Sequence, residues 1–443
     1  MQIGESVHKR APCSFVCHLT STANLKPASY SSVLYDTTYI SLVISVLLAL
    51  SLLDVQPLDS KNGQHQRCQG FQFQPQGENT GHGPLFVGGT SGIGKGTLRQ
   101  LAKCANAPKV YIVGRSMTFA APLLSELESL NPLGTFIFIE TEISLIKNVD
   151  TVCAEKKRKE RNLDLVFLSA GYLSVAGRQE TSEGIDTFSS VAYYGRLRII
   201  DNFLPLLSAS VSPRVIPIFN GGKESTIDLH DLELRNSHSF TNAINLATTQ
   251  TTLAFEELAK VYPMVNFCHV HPGFVTTGIL DRLTGTVKGI WRLPAILARW
   301  TVVPVVQLFG MSIDETGEWG VFVATSAKYP PAEPKHPHEV GVALPDGVDV
   351  AKSSVVKDGK GNGVYRIDSY GESVENECDR ILADYRADQV EKKVWEETMS
   401  VWARALKRGE PWKPLIPRSQ FICRAKLAVL ASTSSKFINI DFT

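Results

Sequence analysis

Residues Leu85–Gly94 read LFVGGTSGIG, a short apolar run that leads into a turn with glycines at 88, 92 and 94. Apolar residues at helical spacing follow at once and predict a helix over Gly92–Cys104. In a strand–turn–helix of this kind, one glycine permits the tight turn, one lets a pyrophosphate approach the backbone, and one lets helix and strand pack closely. The phosphates would then lie on the N–H groups that open the helix. The stretch therefore predicts a dinucleotide-binding turn, and a glycine-rich turn without a ligand is the alternative.

Apolar runs and helical periods alternate after this turn. Strands are predicted at Pro84–Val87, Lys109–Val113, Thr135–Ile139, Leu163–Leu168, Arg214–Phe219 and Val265–Val270, and helices at Ala120–Leu130, Asn148–Arg161, Gly184–Leu207 and Asn242–Val261. Pro217 marks its strand as an edge or irregular one. The alternation predicts an α/β fold, a doubly wound parallel sheet of the Rossmann type with three α/β/α layers.

The chain has 443 residues, more than one such domain needs, so we expect a single domain with flanking segments. The expected parts are an N-terminal extension (1–80), the Rossmann-like domain (81–408, with its core at 84–280 and a lid and C-terminal part at 281–408) and a tail (409–443). Within the extension, Thr37–Leu53 carries no charge and is a membrane anchor, a buried helix or a leader from a misassigned start. Residues 57–80 are polar and predict a linker.

The C-terminal part is less regular. Ile290–Met311 is apolar but contains two arginines and two prolines, which argue against a clean membrane span and favour a lid or an amphipathic surface helix. Residues 329–358 predict a loop, Gly363–Ile367 a last strand and Ser373–Leu406 a pair of amphipathic helices.

Charge and cysteine content exclude several classes of protein. The 45 Lys and Arg residues balance 44 Asp and Glu residues, so no overall field favours nucleic acid. The eight cysteines form no CxxC pair and predict neither a disulfide framework nor a metal site. Cys153 and Cys268 lie in apolar periodic segments and are expected to pack in the core.

The second strand ends at Arg115, where an NAD site would usually carry Asp or Glu to bind the ribose hydroxyl. A cation suits the 2′-phosphate of NADP(H), and Lys95 and Arg99 are further cations just after the glycine turn. NADP(H) is therefore the predicted cofactor. The alternative is that Arg115 only faces solvent at a strand end.

The spacing of the three glycines resembles that of the short-chain dehydrogenase/reductase family. Glu142-Ile143-Ser144 resembles the family's Asp-Val-Ser, whose acidic side chain meets the adenine, and Leu168-Ser169-Ala170-Gly171 resembles the Asn-Asn-Ala-Gly turn. His271-Pro272-Gly273 and Val275-Thr276-Thr277 resemble the turn and loop at the nicotinamide. The resemblance implies cofactor contacts from Gly88, Thr90, Ser91, Gly92, Ile93, Gly94, Arg115, Glu142, Ser169, Ala170, Gly171, Pro272, Gly273, Val275 and Thr277.

The likeness covers about residues 84–280 and extends more loosely to 406. The segments GGTSGIG, VYIVGRS, FLSAGYLS, RQETSEGID and NGGKE resemble fungal reductases of secondary-metabolite clusters. Family members commonly form dimers or tetramers through two long helices, here 184–207 and 242–261, which implies a homodimer.

The catalytic residues depart from the family pattern of a Tyr-x-x-x-Lys pair with a serine and an asparagine, because no tyrosine is followed four residues later by lysine. His238 falls where the tyrosine is expected and is either the acid/base or a surface histidine. Asn242 is placed to hold the ribose, and Asn220 to bind the substrate oxygen. The expected asparagine position carries Ala192. The adjacent Tyr193 and Tyr194 are alternative proton donors, with packing their expected role.

Three functions follow from these patterns. The first is an NADP(H)-dependent oxidoreductase that acts on the carbonyl or alcohol of a hydrophobic small molecule. The second is a degenerate relative that binds a nucleotide or metabolite without hydride transfer, as a partner subunit or a non-redox isomerase or cyclase. The third is a membrane-anchored lipid or sterol reductase, which rests on Thr37–Leu53 and Ile290–Met311. The expected location is the cytoplasm, or a membrane anchor with the catalytic domain facing the cytosol.

Overall fold

The computed structural model describes residues 83–172, 177–275 and 310–408. The N-terminal extension with Thr37–Leu53, most of Ile290–Met311 and the tail from 409 lie outside the described residues. The strands are β1 (Leu85–Val87), β2 (Lys109–Gly114), β3 (Thr135–Glu140), β4 (Leu165–Leu168), β5 (Arg214–Pro217), β6 (Asn266–Val270), β7 (Val356–Lys357), β8 (Lys360–Gly361) and β9 (Val364–Ile367). The helices are α1 (Gly92–Cys104), α2 (Met117–Leu130), α3 (Ile146–Lys159), α4 (Gly195–Ala209), α5 (Phe240–Val261), α6 (Ile313–Thr325), α7 (Cys378–Ala387) and α8 (Val390–Arg408).

Seven strands form one parallel sheet in the order β3-β2-β1-β4-β5-β6-β9. The doubly wound α/β fold is thus confirmed, and β9 is the last strand expected at Gly363–Ile367. Strand β1 lies in the interior of the sheet, where Leu85 pairs with Tyr111 on one side and with Val166 on the other. The direction of winding reverses between β1 and β4, which opens a crevice beyond the carboxyl ends of the strands.

Both faces of the sheet are covered, as the continuous apolar strands require. Leu85 and Val87 point into one core, which α3, α4, α5 and α8 complete. Phe86, between them in the sequence, points into the other core with α1, α2 and α6. Cys153 and Cys268 are buried at 1% and 0% exposure, so their expected core packing is confirmed.

Two predicted elements need correction. The helix expected over 184–207 instead begins with a short turn at Thr187–Ser189 and a π-helical turn at Ser190–Tyr194, before α4. Gly195, at the junction of the π-helical turn and α4, lies very close to the Ile143 carbonyl. A Cβ on Gly195 would lie 2.4 Å from that oxygen. Strand β5 is interior, not an edge, because Pro217 is its last residue and costs the sheet little hydrogen bonding there.

Helix α6 was not predicted, although its start carries a recognisable signal. Ser312 accepts from the N–H of Glu315, whose carboxylate accepts from the N–H of Ser312, which is a capping box. The helix packs tightly on α1, where a Cβ on Gly317 would lie 2.4 Å from the Gly96 carbonyl oxygen. The glycines therefore let two helix backbones approach closely beneath the glycine turn.

The C-terminal helix pair is confirmed as α7 and α8. Helix α8 lies against α5 and α3, and its Trp402 donates from Nε1 to the Tyr194 carbonyl (3.1 Å). Among the helices of the described ranges, none is long and apolar enough to cross a membrane.

Candidate functional site

The predicted cofactor residues lie in turns that follow different strands. Gly88 follows β1, Arg115 follows β2, Glu142 follows β3, Ser169 follows β4 and Pro272 follows β6. Because all these strands are parallel, their carboxyl ends share one edge of the sheet. The structure thus brings these turns to the crevice at which α/β sheets bind their ligands.

The glycine turn has the backbone that its residues predict. Gly88 and Gly92 have φ angles of +90° and +58°, which favour glycine. A Cβ on Gly88 would lie 2.2 Å from the Ala170 N, and one on Gly94 would lie 2.3 Å from the Ser169 Oγ. Ser169 Oγ in turn donates to the Gly88 carbonyl (3.1 Å). Only glycine therefore allows the turns after β1 and β4 to pack together.

This turn also presents a helix start to the crevice. Ser91 is the N-cap of α1 with extended backbone, and its side chain does not cap the helix. Ile93 lies in the first turn of α1, directly after Gly92. Thr90 lies near the end of β2, since a Cβ on Gly114 would be 3.5 Å from Cγ2 of Thr90. The cradle of glycines before an uncapped helix start fits the pyrophosphate of a dinucleotide.

The three cations near this turn differ in their partners. Lys95 and Arg99 form ion pairs with Glu126 (3.5 and 2.6 Å), and Arg99 also pairs with Asp314 (3.0 Å). Arg115 is exposed, and no ion pair holds it within the described ranges. Lys95 and Arg99 therefore have carboxylate partners, whereas Arg115 has none in the described ranges and is the most open of the three cations to a ligand phosphate.

The remaining turns are held by the fold. The Glu142 carboxylate accepts from the Ser144 N–H (3.1 Å) and shapes the approach to α3. Gly273 has a φ of +65°, and Val275 forms a bridge with Met311, so the turn after β6 is fixed against the segment before α6. Gly171 is exposed beside Ala170, and Thr277 lies outside the described residues.

His238 lies in a small cavity beside the turn after β4. The cavity is lined by Tyr172, Gly177, Gln179, Asp186, Phe188, His238, Phe240 and Ala243. Nε2 of His238 lies 3.9 Å from Oδ1 of Asp186, and the histidine side chain is 15% exposed. His238 is thus partly buried beside a buried carboxylate and is not a fully exposed surface histidine.

Asp186 is fixed by several donors. Its Oδ2 accepts from the N–H and the hydroxyl of Ser189 (both 3.0 Å), and its Oδ1 accepts from the Gln179 N–H (3.1 Å). The 3.9 Å separation from Nε2 of His238 is longer than a hydrogen bond, so this carboxylate acts on the imidazole through its charge and does not bond it directly.

Three aromatic rings connect the His238 cavity to the end of β5, and we call them the aromatic wall: Phe188, Phe219 and Phe240. The Phe188 ring lies 6.4 Å from each of the other two rings, measured between centroids. Phe188 is buried in the core, whereas Phe219 and Phe240 are half-buried and make the surroundings of the histidine apolar, which suits a hydrophobic substrate.

Asn220 and Asn242 occupy different environments. Asn220 follows Phe219 at the end of the wall, is half-buried, and donates from its backbone N–H to Nε2 of His269 (3.3 Å). Asn242 is exposed in the first turn of α5, and its amide donates to the Ser237 carbonyl (2.8 Å). Asn242 does not line the cavity of His238. Its hydrogen bond to Ser237 instead holds the loop that precedes the histidine.

A buried network fixes the backbone at Asn220. Since Nε2 of His269 accepts, its Nδ1 carries the proton and donates to Thr252 Oγ1 (2.8 Å), which donates to Glu224 (2.6 Å). Arg366 donates to the other Glu224 oxygen (3.3 Å). Burial, with the nearby cations Arg196 and Arg366, lowers the pKa of His269 to about 3, so this histidine is neutral at physiological pH.

Tyr193 and Tyr194 are not proton donors of the site. Both are buried, Tyr193 Oη shares a hydrogen bond with Thr398 Oγ1 (2.7 Å), and Tyr194 Oη donates to the Leu232 carbonyl (3.2 Å). Burial raises the pKa of both phenols, which further opposes proton transfer. Their expected packing role is confirmed, and the adjacent Ala192 is buried too.

Sequence reasoning missed three residues of the site. Tyr172 lies in the cavity with His238 and donates to Gln179 (3.0 Å), and Asp186 lies beside the histidine. Arg196 lies buried beneath the turns after β4 and β5. Tyr172 stands within the motif FLSAGYLS and Asp186 ends the motif RQETSEGID, but neither motif by itself places its residue at the crevice, and no motif marks Arg196.

Comparison with known proteins gives clear relatives, although no protein-family profile matches the chain. Oxidoreductase AN1596 of Emericella nidulans is 40% identical over 327 residues, which cover 73% of this chain and 93% of the relative. Short-chain dehydrogenase/reductase SAT2 of Stachybotrys chartarum is 27% identical over 71% of this chain and 89% of the relative. Among solved structures, a levodione reductase aligns with a TM-score of 0.43 at 17% identity, over 55% of this chain and 90% of that chain.

Proposed function

The chain belongs to the fungal oxidoreductases of the short-chain dehydrogenase/reductase type, and from that membership we propose that it is an NADP(H)-dependent enzyme for a carbonyl or alcohol of a hydrophobic small molecule in secondary-metabolite biosynthesis. The observation that carries the proposal is the glycine cradle, in which Gly88 and Gly94 pack against the turn after β4. Such a cradle at the start of a helix fits a dinucleotide pyrophosphate.

The choice of NADP(H) rests on Arg115. It is exposed at the end of β2, where the adenosine ribose lies in folds of this kind, and no carboxylate within the described ranges engages it. A guanidinium can bind a 2′-phosphate with two parallel hydrogen bonds. We expect the neighbouring glycine cradle to hold the pyrophosphate and the Ser169–Gly171 turn to line the next part of the cofactor.

When bound, NADPH supplies hydride to a carbonyl carbon. The residues of this chain then have to place the carbonyl and supply a proton to its oxygen. His238 is the proposed proton donor, with Asp186 as the carboxylate whose charge acts on its ring, and Asn220 is proposed to hold the substrate oxygen. The aromatic wall packs against the apolar part of the substrate. Tyr172, in the same cavity, is the second candidate for the proton donor.

The cofactor part of the proposal is tested by binding. We expect the wild-type protein to bind NADPH more tightly than NADH, and Arg115→Ala to weaken NADPH binding by about 10- to 100-fold while NADH binding changes little. Isothermal titration calorimetry with both nucleotides measures this, and Arg161→Ala, at an exposed arginine after α3, is the control. Equal affinity of the Arg115→Ala variant for NADPH would show that Arg115 does not bind the phosphate.

The catalytic part is tested by turnover. NADPH oxidation is followed by its ultraviolet absorbance with a panel of hydrophobic ketones and quinones for the wild-type protein and for the His238→Ala and Tyr172→Phe variants. We expect His238→Ala to lower kcat by about 100-fold or more while NADPH binding persists, and Tyr172→Phe to change it little. The opposite result would make Tyr172 the donor. Tight NADPH binding without turnover on any ketone would instead favour a member that binds nucleotide without redox chemistry.

A further inference from the structure

Arg196, on α4, is a buried cation without a carboxylate partner in the described part of the chain. Its side chain donates to two backbone carbonyls, those of Ile218 (3.0 Å) and Ala170 (2.5 Å), and its Nε has no partner among the described residues. The residue is 3% exposed. Burial lowers the pKa of Arg196 to about 10, so the guanidinium is still charged at neutral pH.

A buried arginine that ties carbonyls together can be purely structural, and the chain contains one for comparison. Arg214, at the start of β5, donates to the carbonyls of Val323 (3.0 Å), Ser326 (2.5 Å) and Val340 (2.7 Å). It lies at the amino end of its strand, on the edge of the sheet opposite the crevice. Arg196 differs by its location at the carboxyl edge and by its unpartnered Nε.

The two carbonyls that Arg196 holds belong to the candidate site. Ala170 is in the turn that packs against Gly88, and Ile218 precedes the aromatic-wall residue Phe219, whose ring lies 5.5 Å from the guanidinium carbon. If Arg115 marks the adenosine end of the cofactor over β2, the nicotinamide end lies on the other side of the crevice, over β4 and β5. The guanidinium therefore lies beneath the half of the crevice that would receive the nicotinamide.

Nearby charges do not cancel this one. His269, on β6, is neutral for the reasons given above. Glu224 lies 3.7 Å from His269 but is engaged by Arg366. Neither group therefore supplies a free negative charge to the Arg196 guanidinium, and the Asp186 carboxylate of the His238 cavity is held by Ser189 and Gln179 instead.

The oxidised nicotinamide ring carries a positive charge and the reduced ring carries none, so a fixed cation beneath it disfavours the oxidised form. We propose that Arg196 is a positioning residue whose charge makes the site prefer NADPH to NADP⁺ and thereby directs the enzyme towards carbonyl reduction. This inference rests on the proposed function, since it needs the cofactor in the crevice.

The test compares the two dissociation constants by calorimetry, for the wild-type protein and for variants of Arg196. The ratio Kd(NADP⁺)/Kd(NADPH) is expected to exceed one in the wild-type protein and to fall about fivefold or more in Arg196→Met and Arg196→Gln, which remove the charge. Arg196→Lys retains a cation only where the buried amine stays protonated, so at about pH 6 it should keep the ratio within about twofold. Arg198→Met is the control, because it removes a cation of the same helix that is paired with Asp150 (2.7 Å).

The possible outcomes separate the two proposals. Equal weakening of both nucleotides in Arg196→Met and Arg196→Gln, with an unchanged ratio, would mean that Arg196 only ties the two turns together, and the inference would be wrong. A wild-type ratio of one would overturn it as well, even if neither charge-removing variant folds. A wild-type protein that binds neither nucleotide would refute the proposed function itself.

Discussion

At Gly94, the proposed cofactor site leaves no room for a side chain. A Cβ at this position would lie 2.3 Å from Ser169 Oγ and 2.8 Å from the Gly88 carbonyl oxygen. Alanine in a helix is ordinarily favourable relative to glycine by about 1 kcal/mol. Here the contact with the turn after β4 opposes that gain, because backbone at the cradle has to move.

We therefore expect Gly94→Ala to weaken NADPH binding by about tenfold or more, since overpacking of this kind costs roughly 1–3 kcal/mol. Calorimetry with NADPH measures the change. Gly347→Asn is a matched control, because a Cβ there would meet nothing within 4 Å and asparagine tolerates the φ of +78°. A folded Gly94→Ala variant with wild-type affinity would show that the cradle does not bind the nucleotide.

Lys156, on α3, is a buried charge outside the candidate site. It is 2% exposed, its Nζ lies 3.2 Å from the centroid of the Tyr111 ring, and that nitrogen has no hydrogen-bond partner among the described residues. Burial lowers the pKa of Lys156 to about 7, despite the opposing charge of Glu160. The folded state thus releases this proton at a lower pH than the unfolded state does.

Between about pH 7 and the ordinary lysine pKa near 10.4, Lys156 binds a proton more fully in the unfolded chain than in the folded protein. The contribution of Lys156 to the free energy of unfolding therefore rises with pH. At low pH the wild-type protein loses stability because it has to bury the charged Lys156 ammonium, and Lys156→Met removes this cost. We therefore expect the variant to be more stable than the wild type, with a free-energy difference about 1–3 kcal/mol larger at pH 6.5 than at pH 9. Urea unfolding at both pH values measures the difference. Lys159→Met, at an exposed lysine of the same helix, should show no such pH dependence; a parallel pH dependence in wild type and Lys156→Met would contradict the argument.

At the scale of elements, α8 stabilises the irregular start of α4. Trp402 is 2% exposed, donates to the Tyr194 carbonyl at the end of the π-helical turn, and has the Arg198 guanidinium 5.0 Å from its ring. Thr398, one turn earlier in α8, bonds Tyr193. The π-helical turn and α8 therefore stabilise each other, although about 200 residues separate them in the sequence.

Trp402→Ala should lower the free energy of unfolding by about 3–5 kcal/mol, the usual cost of removing a buried tryptophan side chain. Trp402→Phe should lose less, since it keeps most of the packing and gives up one hydrogen bond. Met399→Ala, at a residue of α8 that is 45% exposed, should change stability by less than about 1 kcal/mol. Urea unfolding of the three variants provides the comparison, and similar losses for Trp402→Ala and Met399→Ala would mean that α8 is not anchored through Trp402.

For the whole molecule, the same helix affects how copies of the chain can associate. The homodimer implied by the family would use the helices predicted at 184–207 and 242–261, which correspond to α4 and α5. Helix α8 packs on α5 of the same chain and covers part of that surface. A dimer through this face would require α8 to move, at the cost of its buried contacts.

We expect the purified protein not to dimerise through α4 and α5. Light scattering after size-exclusion chromatography would then give the mass of one chain, or a larger mass that substitutions on α5 do not change. Val261→Asp is a suitable probe, because this residue of α5 is 66% exposed. A dimer that Val261→Asp dissociates would contradict this prediction.

Local patterns in the sequence determined the glycine turn, most of the strands and helices and the parallel sheet, because period, glycine placement and apolar runs are properties of neighbouring residues. They also placed Arg115, Ser169 and Pro272 at strand ends, and parallel strands bring such ends to one edge. Only the tertiary structure paired Lys95 and Arg99 with carboxylates and placed Asp186 and Arg196 beneath the crevice. Those facts depend on contacts between residues far apart in the chain, and no local pattern records which distant group a buried charge will meet.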